Sequence, residues 1–316
     1  MRNGTSSTSG RPQPPAVVVE RLTKRYGPRP AVDGLDLTVP TGGIHALLGP
    51  HGSGKTTVLR ILVGLTRPDR GSITLLDHSI PRQLPRVMHR VGAVVGRPGF
   101  HPHVSVRHNL QVLALGLGIK SERIDECLDL LGLTVLQHET FRTLDPDSRH
   151  QVALCAALLK SPELLIMDEP ADGVDTHRIA EVRAVLTHLA ANGTTVLVSS
   201  HQIDEVQGWA DTASIIDHGR LVIQGTVAEI VQERSHRVTI GVRDAARAER
   251  ILAEHDFRIR SRGQSELVIS VPGADPAETA RITALLAREG LYIHQLTTHS
   301  PSLEDTIVKL SRTGAA

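Results

Sequence analysis

Eight consecutive residues, Gly49-Pro50-His51-Gly52-Ser53-Gly54-Lys55-Thr56, constrain this chain more than any other part of it. They follow the spacing G-x-x-x-x-G-K-[ST], with the apolar run Ile44–Leu48 leading in and the helix-periodic stretch Lys55–Gly64 leading out. Each position has a physical reason. Glycines let successive backbone N–H groups turn toward one anion without a Cβ in the way. The start of the helix adds partial positive charge. Lys55 is spaced to reach the β and γ phosphates of a nucleotide, the Thr56 hydroxyl to ligate Mg2+, and Thr57 closes the nucleotide-binding set. The plain alternative is a Gly-rich turn ahead of a helix.

A second segment completes the chemistry. Leu164-Leu165-Ile166-Met167-Asp168-Glu169 is an apolar strand ending in two acids. Asp168 at the strand tip suits the Mg2+ shell. Glu169 suits a general base that polarises the attacking water. A core strand with a solvated acidic end is the alternative, and the phosphate loop weakens it.

With aromatics at 2%, the core has to be filled by Val, Leu, Ile and Ala. Such runs suit strands buried on both faces of a parallel sheet. Candidate strands are Ala16–Leu22, Leu35–Val39, Ile44–Leu48, Ser72–Leu76, Val91–Val95, Leu164–Met167, Thr195–Ser199, Ala213–Ile216 and Leu221–Ile223. Helical periodicity fits Lys55–Gly64, Val106–Gly116, Arg123–Leu131, Arg149–Leu159, His177–Ala190 and Ile203–Ala210. The early strands read as antiparallel and the later ones alternate with helices, which predicts a parallel core sheet with an antiparallel β layer on one side.

Residues 1–15 read as a disordered tail and 16–232 as the main domain. After a break near Glu233–His236 the pattern restarts as β-α-β-β-α-β over 236–312: Arg237–Val242, Ala245–His255, Phe257–Ser261, Glu266–Val271, Pro276–Glu289 and Leu291–Thr297. That is the order of a small ferredoxin-like α+β domain, with a last helix after Pro301.

On these elements the sequence resembles the ABC ATPase family over residues 16–232, a phosphate-loop NTPase of ABC type with a helical subdomain. The resemblance implies that Tyr26 stacks on adenine. It makes Asp172-Gly173-Val174-Asp175 a D-loop with Asp175 at a dimer seam, and His201 the switch histidine that contacts the γ-phosphate. The ending Ser302-Leu303-Glu304-Asp305 is similar to that of single-domain subunits of bacterial drug-export and antibiotic-immunity transporters. Implied with it are ATP and Mg2+ as ligands and a separate membrane permease as partner. Also implied are a homodimer or heterodimer of ATP-binding subunits and a peripheral place on the cytoplasmic face of the membrane.

Two departures from the family pattern matter. Where members carry L-S-G-G-Q, the segment that clamps the opposite subunit's ATP, this chain reads Leu144-Asp145-Pro146-Asp147-Ser148. Asp145 and Asp147 put carboxylates near an anion, and Pro146 removes an N–H donor. An uncompensated like charge at that range costs on the order of several kcal/mol. Asp and Pro are nonetheless good helix-start residues. At the position of the family's Q-loop Gln stands Gly96, followed by Arg97-Pro98-Gly99-Phe100. The expectation is ATP binding with a poor clamp: weak turnover alone, or an asymmetric heterodimer. A regulatory, non-hydrolysing nucleotide binder and a soluble ABC protein of translation or DNA repair are the alternatives.

Composition narrows these classes. A net charge of +1 on 316 residues argues against nucleic acid as the main partner. No apolar run approaches the roughly 20 residues needed to cross a bilayer, and the residues before Ala16 lack the apolar core of a signal peptide. Cys127 and Cys155 both sit in helix-periodic stretches, which fits a reducing compartment. His101, His103 and His108 lack an acid or Cys at metal-site spacing, so a solvated loop is the better account.

Overall fold

The structure is a computed structural model and describes residues 13–96, 99–170, 176–232, 235–272 and 276–299. It comprises two compact units, residues 1–222 and 223–316. The division falls inside the strand Arg220–Thr226, ahead of the Glu233–His236 break that the patterning predicts.

In chain order the strands are β1 (Val17–Arg25), β2 (Pro30–Val39), β3 (Ile44–Leu48), β4 (Arg70–Leu75), β5 (His78–Ile80), β6 (Val91–Val94), β7 (Leu164–Met167), β8 (Thr195–Ser200), β9 (Thr212–Asp217) and β10 (Arg220–Thr226). One sheet runs β2-β1-β4-β5 with antiparallel pairing, for example Val17 opposite Val39 and Leu75. Buried and open positions mix along β1 and β2, as a sheet with one wet face requires. The second sheet runs β10-β9-β3-β8-β7-β6, and the pairs from β9 through β6 are parallel. Every residue of β3, β7 and β8 is buried, which explains their mostly aliphatic sequences, with His45 in β3 and Thr195, Ser199 and Ser200 in β8 as the polar exceptions.

The helix Lys55–Leu62 lies in the core that joins the two layers. Its Val58, Leu59, Ile61 and Leu62 share one apolar cluster with Val17, Leu35 and Leu75 of the antiparallel sheet and with Leu47, Ile166 and Leu197 of the parallel one. Burial of Val58, Leu59, Ile61 and Leu62 against both layers fixes this helix, and with it the loop that precedes it.

A helical segment, Val106–Leu117, Glu122–Leu130 and Pro146–Leu158, stands between β6 and β7 in the chain. Cys127 and Cys155 meet there as buried thiols. Their mutual hydrogen bond in a dry interface pushes the Cys155 thiol far above its ordinary range.

The second unit contains β11 (Ser235–Val242), β12 (Arg258–Arg262), β13 (Glu266–Pro272) and β14 (Ile293–His299), with helices Ala245–Glu254 and Pro276–Arg288 between them. The sheet order is β12-β13-β11-β14 and every pair is antiparallel. Val238, Ile240, Leu252, Ile269, Ile282 and Leu286 form its own core.

Several boundaries differ from the sequence expectation for local reasons. The expected helix Ile203–Ala210 is a single turn, Ile203–Val206, because Gln207 turns to extended backbone and Gly208 takes a φ of +89°. The expected helix Arg149–Leu159 starts earlier, at Pro146, since Pro is tolerated where a helix's first N–H has no partner anyway. Within the expected tail, the Thr41 hydroxyl donates to the Pro14 carbonyl. The expected readings at residues 1–12, Arg97-Pro98, Asp172-Gly173-Val174-Asp175, Ser302-Leu303-Glu304-Asp305 and the helix after Pro301 lie outside the described residues.

Candidate nucleotide site

Three parallel strands end side by side and deliver the candidate residues together. Leu48 of β3 is in register with Ser200 of β8, and Met167 of β7 with Val198 of β8. The loop after β3, the acids after β7 and the histidine after β8 therefore leave the sheet at one edge, the carboxyl ends of the strands, where open α/β sheets bind ligands.

The loop itself is held tightly. Ser53 N–H donates to the Pro50 carbonyl at 3.1 Å, and Gly219 N–H to the Ser53 carbonyl at 2.9 Å. Gly54 precedes the helix at φ +108°, and a Cβ there would stand 2.4 Å from the Ala31 carbonyl oxygen. A Cβ on Gly49 would stand 2.3 Å from the Ile216 carbonyl oxygen. Gly52, also at positive φ, has nothing within 4 Å on that side. Close approach of the backbone, rather than turn propensity alone, thus requires glycine at 49 and 54.

Lys55 is 4% exposed. Its ammonium donates to the Gly49 carbonyl at 2.7 Å and the Pro50 carbonyl at 3.1 Å, and lies 3.4 Å from Glu169 Oε1. The Thr56 hydroxyl donates to Asp168 Oδ1 at 3.2 Å. Those two oxygens suit a hard cation. Mg2+ takes one or two protein oxygens, keeps several waters and shares phosphate oxygens, so this pair fits it without a protein-only cage. Among the described residues no group of three or more His, Cys, Asp or Glu is arranged to hold a metal ion. The Ser53 hydroxyl is buried without a hydrogen-bond partner inside the same loop.

Sequence reasoning missed Ser199. Its hydroxyl donates to Asp168 Oδ1 at 2.7 Å and accepts the Glu169 N–H at 2.8 Å. Glu169 sits at φ +47°, a conformation non-glycine residues adopt rarely. The only signal was a serine pair ending an otherwise apolar strand. Also missed was the stacking of His51 on His201, with ring centroids 4.6 Å apart.

Tyr26 is 63% exposed, with Lys24 Nζ 5.6 Å from its ring centre and its hydroxyl 3.5 Å from Thr66 Oγ1. The Leu144–Ser148 segment starts a helix rather than presenting loose acids. Asp145 accepts the Ser148 N–H at 2.8 Å and the Ser148 hydroxyl at 2.7 Å, a side-chain N-cap. Ser148 and Leu144 are buried, and Asp147 is half-buried in the first turn. Gly96, at φ +77°, carries no side chain toward the site. Beside it Phe100, Leu113, Leu117, Ala156 and Lys160 line an apolar groove of about 470 Å³.

The fold and this site define a mixed α/β nucleotide-binding protein with a phosphate loop at the edge of a parallel sheet. The family model described as ABC transporter matches residues 32–172. The chain is 30% identical over 296 residues to the bacitracin transport ATP-binding protein BcrA of Enterococcus faecalis, covering 93% of this chain and 96% of that one. It is 31% identical over 302 residues to the daunorubicin resistance ATP-binding protein DrrA3 of Streptomyces coeruleorubidus, covering 94% and 96%. It belongs to the family of ABC transporter ATP-binding proteins. For the fold, cbiO1 of Clostridium perfringens, part of the ABC transporter complex cbiONQ, superposes with a TM-score of 0.62 at 24% identity, over 69% of this chain and 91% of that one. A nucleotide-free ATP-binding cassette from an ABC transporter gives 0.61 at 22% identity, over 67% and 91%.

Proposed function

We propose that this chain binds and hydrolyses Mg-ATP to power export of a drug, antibiotic or peptide through a separate membrane permease. The observation that carries the reading is the convergence of Lys55, Thr56, Asp168 and Glu169 at one sheet edge. The names of the bacitracin and daunorubicin relatives support the export class. In this reading a triphosphate takes over the Lys55 ammonium from Glu169 and the loop carbonyls. Glu169 is then released to polarise water, and Thr56 and Asp168 hold Mg2+. Tyr26 stacks on the base, His201 meets the γ-phosphate, and Gly49 through Thr57 cradle the phosphates. The groove beside Phe100 receives a permease helix on the cytoplasmic side of the membrane.

Turnover by the chain alone is slow in this reading. Asp145 is committed to its own helix, Pro146 offers no N–H, and Asp147 adds negative charge where a partner's phosphate would approach. A heterodimer whose partner brings a Ser-Gly-Gly clamp would have one better site, lined by Lys55, Glu169 and His201, with Asp175 at the seam. Steady-state ATPase of the purified chain tests this. Slow wild-type turnover, loss in Glu169→Gln and a gain in Asp147→Gly are expected. Wild-type turnover as fast as that of ordinary cassettes contradicts it. The groove beside Gly96 and the capped Asp145 favour one second reading, a regulatory subunit that binds nucleotide without hydrolysing it. Co-purified permease with no turnover in any mixture of subunits would select it.

A further inference from the structure

We propose that His51 is a positioning residue for His201: its ring holds the imidazole after β8 in place over the phosphate loop, so that the γ-phosphate of a nucleoside triphosphate meets an already oriented ring. The inference rests on the nucleotide-binding reading above and adds a residue that the phosphate-loop spacing leaves undefined, since position 51 is one of its four variable places.

Four observations carry it. The two rings are stacked, with centroids 4.6 Å apart and planes 29° apart. They are brought together by main-chain register, because Leu48 and Ser200 are partners in adjacent parallel strands and the chains leave the sheet in parallel. His201 Nε2 lies 3.0 Å from the Gln202 amide nitrogen, a donor, so Nε2 accepts there and has to take up a proton, by a shift of tautomer, when a phosphate oxygen replaces the amide. His201 Nδ1 is buried with no hydrogen-bond partner, so no bond through that nitrogen fixes the ring. A planar side chain with one nitrogen unanchored keeps its orientation through packing, and the His51 ring supplies a packing face.

Two neighbours limit what the pair can do. The Lys55 ammonium is already engaged with Glu169 and with the loop carbonyls of Gly49 and Pro50, so this pair places no hydrogen bond on either imidazole. Ser200 next door is tied through its hydroxyl to Glu205 and to the Gln202 backbone, which fixes the turn that carries His201. The ring of His201 is left with Gln202 on its edge and His51 on its face.

A γ-phosphate is the part of the ligand that His201 is placed to meet, so loss of the stack is read as loss of discrimination between tri- and diphosphate. Calorimetry on the full chain with a non-hydrolysable Mg-ATP analogue and with Mg-ADP, for wild type, His51→Ala, His51→Phe, His201→Ala and the double variant His51→Ala/His201→Ala, tests it. His51→Ala is expected to weaken the triphosphate analogue about three- to tenfold relative to ADP. His51→Phe should restore most of the preference, because it keeps a flat ring without a ring nitrogen. The double variant should be no worse than His201→Ala, as for two residues acting as a unit. Equal weakening of both nucleotides, no rescue by Phe, or additive losses would each overturn the proposal while leaving nucleotide binding intact. Wild-type protein that binds neither nucleotide would instead remove the reading on which it rests.

Discussion

Ser199 makes one hydroxyl serve two neighbours, and this arrangement holds the two acids apart. Donation to Asp168 and acceptance from the Glu169 N–H fix the carboxylate that faces Thr56 and the backbone twist that turns Glu169 toward Lys55. Removing the hydroxyl strips a half-buried N–H of its acceptor, at a cost of up to about 1–3 kcal/mol. It also loosens a support of Thr56 and Asp168, the pair proposed to hold Mg2+, a class of change that lowers activity roughly 10- to 100-fold. Ser199→Ala is therefore expected to lower ATPase far more than Ser200→Ala does, with both measured on folded protein by steady-state assay. Equal effects would show that the Ser199 bridge is incidental.

At the scale of elements, β3 carries the loop, and its own anchorage is polar in one place. His45 is buried between hydrogen bonds to Thr212 Oγ1 at 2.8 Å and Ser214 Oγ at 2.9 Å, both on β9. Burial lowers its pKa from 6.5 to about 4. Between those values the unfolded chain binds the proton and the folded chain does not. Stability is thus full above pH 6.5 and falls as pH drops toward 4, by on the order of 3 kcal/mol across the window. Chemical denaturation between pH 7 and pH 4 should show that slope in wild type and a flatter one in His45→Gln, which keeps a hydrogen-bonding group without the titration. Parallel slopes would mean that the acid sensitivity arises elsewhere.

The same scale shows what sequence patterning conveys. Strands β3, β7 and β8 were legible because burial on both faces favours aliphatic residues, which make up most of each strand. The loop was legible because phosphate geometry dictates glycine and lysine spacing. Three kinds of feature were not. Short elements such as β5 have too few residues for a period to form. The end of the helix at Val206 depends on the conformation of single residues rather than on periodicity. Ser199 and His51 depend on neighbours distant in sequence, since Asp168 and His201 reach them only through strand register. Asp145 shows the limit from the other side. Its residue type predicts both an anion repeller and a helix cap, and only the bond to Ser148 shows the carboxylate used as a cap.

At the scale of the whole molecule, two separate cores lie along one chain. The candidate chemistry belongs entirely to the first unit, where one helix is packed between two sheets and its N-terminus faces the open edge. The Phe100 ring packs at 4.9 Å from Phe141, just ahead of the Asp145-capped helix. That ring contact ties the lining of the groove beside Gly96 to the chain just ahead of the capped helix. All of this presupposes that the loop holds a triphosphate. Isothermal calorimetry of the full chain with Mg-ATP, against Lys55→Ala, tests that most directly. The account predicts one-site binding by wild type and its loss, by at least about tenfold in affinity, when the buried ammonium is removed. Unchanged binding in Lys55→Ala, or no binding by the folded wild type, would contradict it.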